Sequence, residues 1–310
     1  MITVGGFNSS IDRALDVDAL VLGQVNRVRG ARRYVGGKGV HVALTIAALG
    51  EPVALVGLID EEHRREFDDF LGAHGVTFHG IRAPGSIRSC LALREPFGAR
   101  TTEILEPGPT VAEVTRGALC DRFLASCAES SFGILTGSLP PGFGAEAYAD
   151  LVARLREAGG RCLVDASGEL LLQAAEAHPF LVKPNREEAE SLSGRAIDGA
   201  RAAAGVAREL QAGGIEVVIV SLGAAGAVAA RGGEAVHAWV ELPEAKYPVG
   251  SGDCLLGGVA VGFARGAGLL DALRLGVACG AANTLTAETG YLRADDVETL
   301  RGQVQTTRLA

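Results

Sequence analysis

Short apolar runs bounded by turn residues recur along the chain and alternate with segments of helical spacing. The runs predict strands at Val53–Leu58, Phe132–Thr136, Arg161–Asp165, Phe180–Lys183 and Glu216–Ser221. Helical spacing covers about 39–49, 62–74, 111–126, 145–158, 168–177 and 197–213. Because strands that are apolar on both faces must be covered on both faces, the pattern predicts an α/β fold whose doubly wound, mostly parallel sheet is flanked by helices. Ligands of such a sheet bind at the carboxyl ends of its strands.

Two stretches depart from this alternation. At about 9–35 and 86–107, apolar and polar residues alternate with period two and no helix intervenes, which is typical of an antiparallel sheet with one exposed face. We expect these stretches to form a small β lid within a single domain spanning residues 1–310. Arginines lie in them at positions 27, 29, 32, 33, 88, 94 and 100. The arginines form either a grip for an anionic substrate or a charged, solvated sheet edge.

Composition narrows the class of protein. A chain of 310 residues that is 48% hydrophobic can bury one large core with a smaller appendage. The first residues predict a strand, and no apolar run of about 18 residues follows, so we expect a cytoplasmic protein without a membrane partner. The formal net charge of −8 disfavours nucleic acid as a partner. Six cysteines and six histidines show no metal-like grouping, which argues against a zinc site or a disulfide framework.

A glycine-rich turn with one carboxylate precedes an apolar helix at Gly250-Ser251-Gly252-Asp253. Backbone N–H groups of such a turn, together with the positive end of the helix dipole, form an anion site. A carboxylate would repel a phosphate that merely rested there. Asp253 is therefore better explained as a base that accepts the proton of an attacking hydroxyl during phosphoryl transfer. The alternative is that Asp253 only caps the helix.

A second glycine-rich turn, Gly36-Gly37-Lys38-Gly39, opens the first helix, and His41 follows one turn later. It is not a Walker A loop, because position 32 is not glycine and no Ser or Thr follows Lys38. Backbone amides and the Lys38 charge at a helix start suit a polyhydroxylated or phosphorylated ligand. A purely structural turn is the alternative.

Two further segments carry candidate polar groups. Asn185 and Glu188 follow a strand and lie one helical turn apart, so both could hold waters around a hydrated magnesium ion. The same spacing also fits a capping box that needs no metal. The segment Ser221–Gly226 turns one strand into the next, either beside a nucleotide or as a simple hairpin.

In order along the chain, these motifs resemble the ribokinase-like sugar kinases. The resemblance is strongest to the phosphofructokinase B branch, which includes tagatose-6-phosphate kinase and 1-phosphofructokinase, and it spans nearly the whole chain. It is carried by Gly36–Gly39, Thr136–Gly142, Lys183–Glu188, Ser221–Gly226, Gly250–Asp253, Cys279–Asn283 and Thr289-Gly290.

The resemblance implies a role for each matching residue. Asp253 would be the catalytic base, and the amides of Gly250, Ser251 and Gly252 would form the anion hole. The sugar phosphate would be held by Asp12, Gly36, Gly37, Lys38 and Arg88, with Ser138 and Arg27 as further ligands. The ATP site would include Lys183, Asn185, Ser221, Gly223, Gly226 and Asn283. A magnesium ion would be bound by Glu188 and Asn185 through water.

Two positions depart from the family pattern. Many relatives have Asn where this chain has His41, and Ser or Ala where it has Cys254. Because His41 would contact the sugar, its imidazole changes the donor and acceptor pattern that meets the sugar hydroxyls. The stereochemistry of the recognised sugar is therefore left open.

The expected activity is that of a phosphotransferase. With ATP and Mg²⁺, it would transfer the γ-phosphoryl group to a primary hydroxyl of a ketohexose monophosphate, either tagatose 6-phosphate or a fructose phosphate, to give a bisphosphate. A kinase of free sugars or nucleosides and a non-catalytic sugar-phosphate sensor are the alternatives. The resemblance also suggests a homodimer formed through the lid.

Overall fold

The computed structural model describes residues 1–95, 100–243, 245 and 247–309. Its strands are β1 (Ile2–Gly5), β2 (Ser10–Asp16), β3 (Gly30–Gly36), β4 (Val53–Ile59), β5 (Val76–Arg82), β6 (Arg88–Glu95), β7 (Arg100–Leu105), β8 (Phe132–Thr136), β9 (Cys162–Asp165), β10 (Leu181–Val182), β11 (Val217–Ser221), β12 (Ala227–Arg231), β13 (Glu234–Trp239) and β14 (Gln305–Leu309). Its helices are α1 (Lys38–Ala48), α2 (Arg64–Ala73), α3 (Glu113–Cys127), α4 (Ala147–Glu157), α5 (Gly168–Glu176), α6 (Arg186–Ser193), α7 (Ala200–Ala212), α8 (Ser251–Ala264), α9 (Leu269–Asn283) and α10 (Ala294–Gln303).

The larger sheet has the strand order β14-β13-β12-β11-β10-β9-β8-β1-β4-β5. From β5 to β11 all neighbours are parallel, and β12, β13 and β14 add an antiparallel edge. In the middle of the sheet Val4 pairs with both Leu55 and Ile134, and all three side chains are buried. Continuous apolar runs are needed at these positions because helices cover the strands. The predicted fold class is confirmed.

The strands and helices that were predicted lie close to their expected positions and differ from them only at their ends. Strand β10 is shorter than predicted, with only Leu181 and Val182 in the ladder. Pro184 follows directly after Lys183 and has no N–H to donate to a neighbouring strand. Strand β5 was not predicted, since its glycine and its polar residues interrupt the apolar run.

The smaller sheet has the order β3-β2-β6-β7 and is built from the two stretches expected to form the lid. The β2–β3 and β6–β7 pairs are antiparallel, whereas the central β2–β6 pair is parallel. The parallel pair arises because the chain leaves this sheet after β3 and returns only after α1, β4, α2 and β5. Residues 96–99, which belong to the expected lid, lie outside the described residues.

Helix α8 packs against both α1 and α9, and α1 and α9 contact strands of the larger sheet. This packing brings the start of α1 and the start of α8 together at one end of the sheet. No helix in the described part of the chain has both the length and the apolar character needed to cross a membrane. The six cysteines are free thiols, and Cys127, Cys162, Cys254 and Cys279 are buried.

Candidate active site

A cleft of about 740 Å³ lies between the two sheets, at the carboxyl ends of β9, β10 and β11 and at the starts of α1 and α8. This is the position expected for a ligand of a parallel α/β sheet. The predicted residues that line it are Asp12, Gly37, Lys38, His41, Arg88, Ser138, Lys183, Asn185, Glu188, Ser221, Gly223, Gly250, Gly252 and Asp253. Residues predicted for sugar, nucleotide and catalysis thus share one cavity.

Five predicted residues do not line this cleft. Arg27 is exposed in the loop between β2 and β3 and does not line the cavity, so its role as a phosphate ligand stays a prediction. Gly36 packs against Asp12, since a Cβ added to it would lie 2.2 Å from the Asp12 Cγ. Gly226 is half-buried and packs against Ala238 and Trp239 of β13 at the end of the hairpin. Ser251 and Asn283 lie behind the cleft and stabilise its wall.

Helix α8 places Asp253 in its first turn, with a side chain that is almost fully buried but borders the cleft. The helix N-cap is Gly250, with φ 86°, and no side chain caps the helix, so the capping alternative for Asp253 is wrong. Burial raises the pKa of Asp253, but the hydrogen bond from His41 and the charge of Lys38 outweigh it and keep this pKa below its ordinary value. Asp253 is therefore a carboxylate at neutral pH.

The turn before α8 is only partly open as an anion site. The Ser251 amide donates to the Pro248 carbonyl at 3.1 Å, so this predicted donor is already used. Among the described residues, the amides of Gly250 and Gly252 donate no hydrogen bond. Asn283 supports the turn by donating from Nδ2 to Val249 O at 2.9 Å and to Ser251 Oγ at 3.0 Å. Two backbone donors at a helix start are thus held ready for an anion.

His41 lies between two carboxylates. Its Nδ1 is 2.8 Å from Asp253 Oδ2, and its Nε2 is 3.4 Å from Asp12 Oδ2. Burial lowers the pKa of His41, but its hydrogen bonds to Asp12 and Asp253 outweigh burial and raise this pKa to about 9. Ser10 Oγ donates to Asp12 Oδ1 at 2.6 Å. Burial also opposes ionisation of Asp12, yet the bond from His41 leaves its pKa below the ordinary value.

Gly290 is required beside His41. It has φ +67°, and a Cβ added there would lie 2.1 Å from the His41 Cγ. Gly250 in turn packs against Gly290, since a Cβ added to Gly250 would lie 2.5 Å from the Gly290 nitrogen. The turn before α8, the segment around Gly290 and the His41 ring therefore pack without space for any larger residue.

Asp165, which no sequence motif identified as a site residue, lines the cleft between two lysines. Lys183 Nζ is 3.3 Å and Lys38 Nζ is 3.7 Å from its carboxylate oxygens. Asp165 raises the pKa of Lys38, with a smaller contribution from Asp253, despite the opposing effect of burial. Its position as the last residue of a buried parallel strand was the signal that could have identified it.

Arg88 is oriented by the backbone. Its Nε donates to Asn8 O at 3.1 Å, and its Nη1 donates to Glu106 O at 3.4 Å. Asn8 also donates from Nδ2 to Ser138 Oγ at 3.2 Å. These bonds hold Arg88 and Ser138 together at the cleft wall, where a guanidinium can bind an anion.

Asn185 and Glu188 form the capping box that the sequence left as an alternative. Asn185 Oδ1 accepts from the Glu188 amide at 2.8 Å, and Glu188 Oε2 accepts from the Asn185 amide at 2.8 Å. Glu188 Oε1 is outside this box, and Glu188 lines the cleft. The segment Ser221–Gly226 is a hairpin between β11 and β12 with a 3₁₀ turn at Gly223–Ala225.

The model of the pfkB family carbohydrate kinases matches residues 2–295. The chain belongs to this family. A 1-phosphofructokinase of Rhodobacter capsulatus is 36% identical to this kinase over 272 residues, which cover 87% of this chain and 86% of that protein. A tagatose-6-phosphate kinase of Staphylococcus epidermidis is 28% identical over 311 residues, covering 98% of this chain and 99% of that protein. The structure of phosphofructokinase-2 from Escherichia coli in complex with substrates and products has a TM-score of 0.90 to this kinase at 26% identity, with 97% and 98% of the two chains covered.

Proposed function

We propose that this kinase transfers the γ-phosphoryl group of ATP to a primary hydroxyl of a ketohexose monophosphate. The observation that carries the proposal is the ionised Asp253 at the start of α8, bordering a cleft that also contains Lys38, Lys183 and Arg88. Fructose 1-phosphate is the first candidate substrate, because the relatives of 30–36% identity are named 1-phosphofructokinase. With this substrate, the accepting group would be the 6-hydroxyl.

The sugar phosphate would bind on the side of the cleft formed by the smaller sheet. Asp12 would accept hydrogen bonds from sugar hydroxyls, since its carboxylate borders the cleft beside Gly37. Arg88 would bind the phosphate already present on the sugar, with charge-assisted hydrogen bonds. Its guanidinium is held in place by the bond to Asn8, so less conformational entropy is lost when the phosphate binds.

The chemical step would depend on Asp253 and the cations around it. Asp253 would accept the proton of the attacking hydroxyl as the new oxygen–phosphorus bond forms. The amides of Gly250 and Gly252 and the Lys38 ammonium would stabilise the charge on the transferred group. Most of the rate enhancement would come from positioning, because the lid would hold both substrates together and exclude water.

ATP would bind on the opposite side, beside Lys183, Ser221 and Gly223. The Lys183 ammonium lies next to the turn that opens α8, because a Cβ added to Gly252 would be 3.5 Å from Lys183 Nζ. Lys183 would therefore bind the polyphosphate of ATP there. Magnesium would neutralise the β- and γ-phosphates. Only Glu188 Oε1 is outside the capping box, so Glu188 would hold the ion through water while Asn185 orients Glu188.

A panel of acceptors tests the proposal. Fructose 1-phosphate, tagatose 6-phosphate, fructose 6-phosphate, free fructose and ribose should each be assayed with ATP and Mg²⁺. We expect the highest kcat/KM with a ketohexose phosphate. Faster turnover of free fructose or ribose would favour the kinase of unphosphorylated sugars, and binding without turnover of any acceptor would favour the sensor. The cleft position of Arg88 argues against the first alternative, and the ionised Asp253 argues against the second.

We also propose that the lid is covered by a second copy of the chain. Large apolar side chains are exposed on its outer strand and in the loop between β2 and β3, with Ile104 52%, Val25 83% and Leu22 86% exposed. Exposed apolar patches of this kind mark protein interfaces. Light scattering after gel filtration should give a dimer for the wild type and for the control Val114→Lys, which changes an exposed valine on α3. Ile104→Lys should give a monomer, and a dimeric Ile104→Lys would exclude this interface.

A further inference from the structure

The His41 ring faces a carboxylate oxygen with each of its two nitrogens. Nδ1 is 2.8 Å from Asp253 Oδ2, and Nε2 is 3.4 Å from Asp12 Oδ2. A neutral imidazole has one N–H and one lone pair, so it would direct a lone pair at one carboxylate. Only the doubly protonated ring both donates to Asp253 and directs an N–H, with its positive charge, at Asp12 across 3.4 Å. The geometry therefore selects the imidazolium form.

The ring has no room to leave this position. His41 is only 5% exposed, and Gly290 packs directly against its ring carbons. Carboxylates outnumber cations among the charged groups that act on His41 or on its partner Asp253. These groups are Asp12 from β2, Lys38 from α1, Glu103 from β7, Lys183 after β10 and Asp253 from α8.

The two oxygens of Asp253 are thereby given different environments. Oδ2 is bound by His41, whereas Oδ1 lies 4.0 Å from Lys38 Nζ at the start of α1. Because His41 holds one oxygen, the carboxylate cannot rotate freely, and Oδ1 is the oxygen left to meet an acceptor hydroxyl. Without the imidazolium, Asp253 and Asp12 would be two carboxylates with no cation between them.

We propose that His41, as an imidazolium, is a positioning residue that holds the base Asp253 and the sugar-binding Asp12 in one ion cluster, so that protonation of His41 controls turnover. This proposal deepens the proposed function and rests on it. The raised pKa of His41 agrees with the geometry and places loss of its proton near pH 9. An unprotonated His41 would leave Asp253 with a higher pKa and without a fixed orientation.

The charge of His41 can be measured without turnover. In ¹⁵N-histidine spectra of the wild type, titrated from pH 5.5 to 10, the resonances missing from His41→Asn identify His41. We expect both ring nitrogens to be protonated at pH 7.5, with deprotonation only near pH 9. A His41 that is neutral at pH 7.5 would overturn the proposal, whatever the enzyme phosphorylates. This measurement requires only the folded wild type and an assignment, which His41→Gln can supply should His41→Asn not fold.

The pH profile of catalysis tests the role of that charge. His41→Asn keeps an amide donor and removes the cation. Its acid limb of kcat/KM for the best acceptor should move up by about one pH unit or more, the usual effect of losing a close opposite charge. The wild-type decline of kcat near pH 9 should be absent in this variant. His79→Asn is the matched control, since His79 lies on β5, does not line the cleft, and should leave both limbs in place.

The outcomes separate the two proposals. A wild-type pH profile in folded His41→Asn would overturn the role of His41 and leave the kinase assignment intact. Failure of the wild type to phosphorylate any acceptor of the panel would instead refute the proposed function, while the nitrogen titration would still report the charge of His41. A protonated His41 in the wild type, together with a raised acid limb and no decline near pH 9 in His41→Asn, supports the proposal.

Discussion

Replacing Gly290 by alanine should destabilise this kinase through His41. Gly290 has φ +67°, a conformation that costs an L-residue about 1–2 kcal/mol. The added Cβ would lie 2.1 Å from Cγ and 2.2 Å from Cδ2 of His41. Carbon atoms in contact prefer a separation of about 3.5–4.0 Å, so the ring or the Gly290 segment must move by more than about 1 Å. Overpacking of this kind costs about 1–3 kcal/mol, which gives a total loss of about 2–5 kcal/mol.

Gly266→Ala separates the backbone cost from the steric cost. Gly266 has φ +78°, close to that of Gly290, but no atom lies within 4 Å of its added Cβ. Urea unfolding should therefore give a loss of about 1–2 kcal/mol for Gly266→Ala, from the backbone alone. Displacement of the His41 ring by about 1 Å should also lower kcat of Gly290→Ala by about 10²-fold. We expect Gly266→Ala to keep the kcat of the wild type.

Two results would contradict the prediction for Gly290→Ala. Equal losses of unfolding free energy in the two variants would show that the Gly290 segment moves aside at no cost. A wild-type kcat in Gly290→Ala would show that the close packing on His41 does not position Asp253. Either result would refute the steric reasoning.

Three further predictions concern the site. Asp253→Asn should lower kcat by about 10²-fold or more while sugar-phosphate binding, measured by calorimetry, stays close to that of the wild type; a wild-type kcat would remove Asp253 from the chemical step. Arg88→Ala should raise KM for a phosphorylated sugar far more than for free fructose, and equal effects would contradict phosphate binding by Arg88. His41 has a folded pKa raised from 6.5 to about 9, so its ionisation stabilises the fold fully below pH 6.5, and this contribution disappears as the pH rises through 9. Urea unfolding at pH 6.5 and 9 should therefore show a loss larger in the wild type than in His41→Asn by up to about 3 kcal/mol, and equal losses would contradict the raised pKa.

Local sequence patterns were enough to predict where the main elements of the site begin. The sequence Gly250-Ser-Gly-Asp253 predicted a turn at the start of an apolar helix, and α8 begins there. The spacing of Asn185 and Glu188 was compatible with two structures, and folding selected the capping box. The hydrogen bonds of the capping box join residues three positions apart, so the capping box and the magnesium site could both be predicted from the sequence. The surrounding structure decided that the capping box forms.

Other features involve contacts that no local pattern specifies. Ser251 was expected to offer its amide to an anion, yet that amide is bonded to Pro248. Arg27 was grouped with Arg88 because both belong to the lid stretches, but only Arg88 lines the cleft, while Arg27 is exposed in the loop between β2 and β3. The path of a loop depends on how the loop packs on the folded protein, and a cluster of like charges along the sequence does not determine it.

By itself, the sequence determined the layered fold and the chemistry of its strand ends. Strands that are apolar on both faces must be buried between helices, and this requirement does not depend on any distant residue. Only the tertiary structure decided that His41 lies between Asp12 and Asp253. These residues come from β2, α1 and α8, and they meet because the helices pack beside the sheet over which the lid strands fold. Distances between residues so far apart in the chain are set by packing, as is the electrostatic environment that they share.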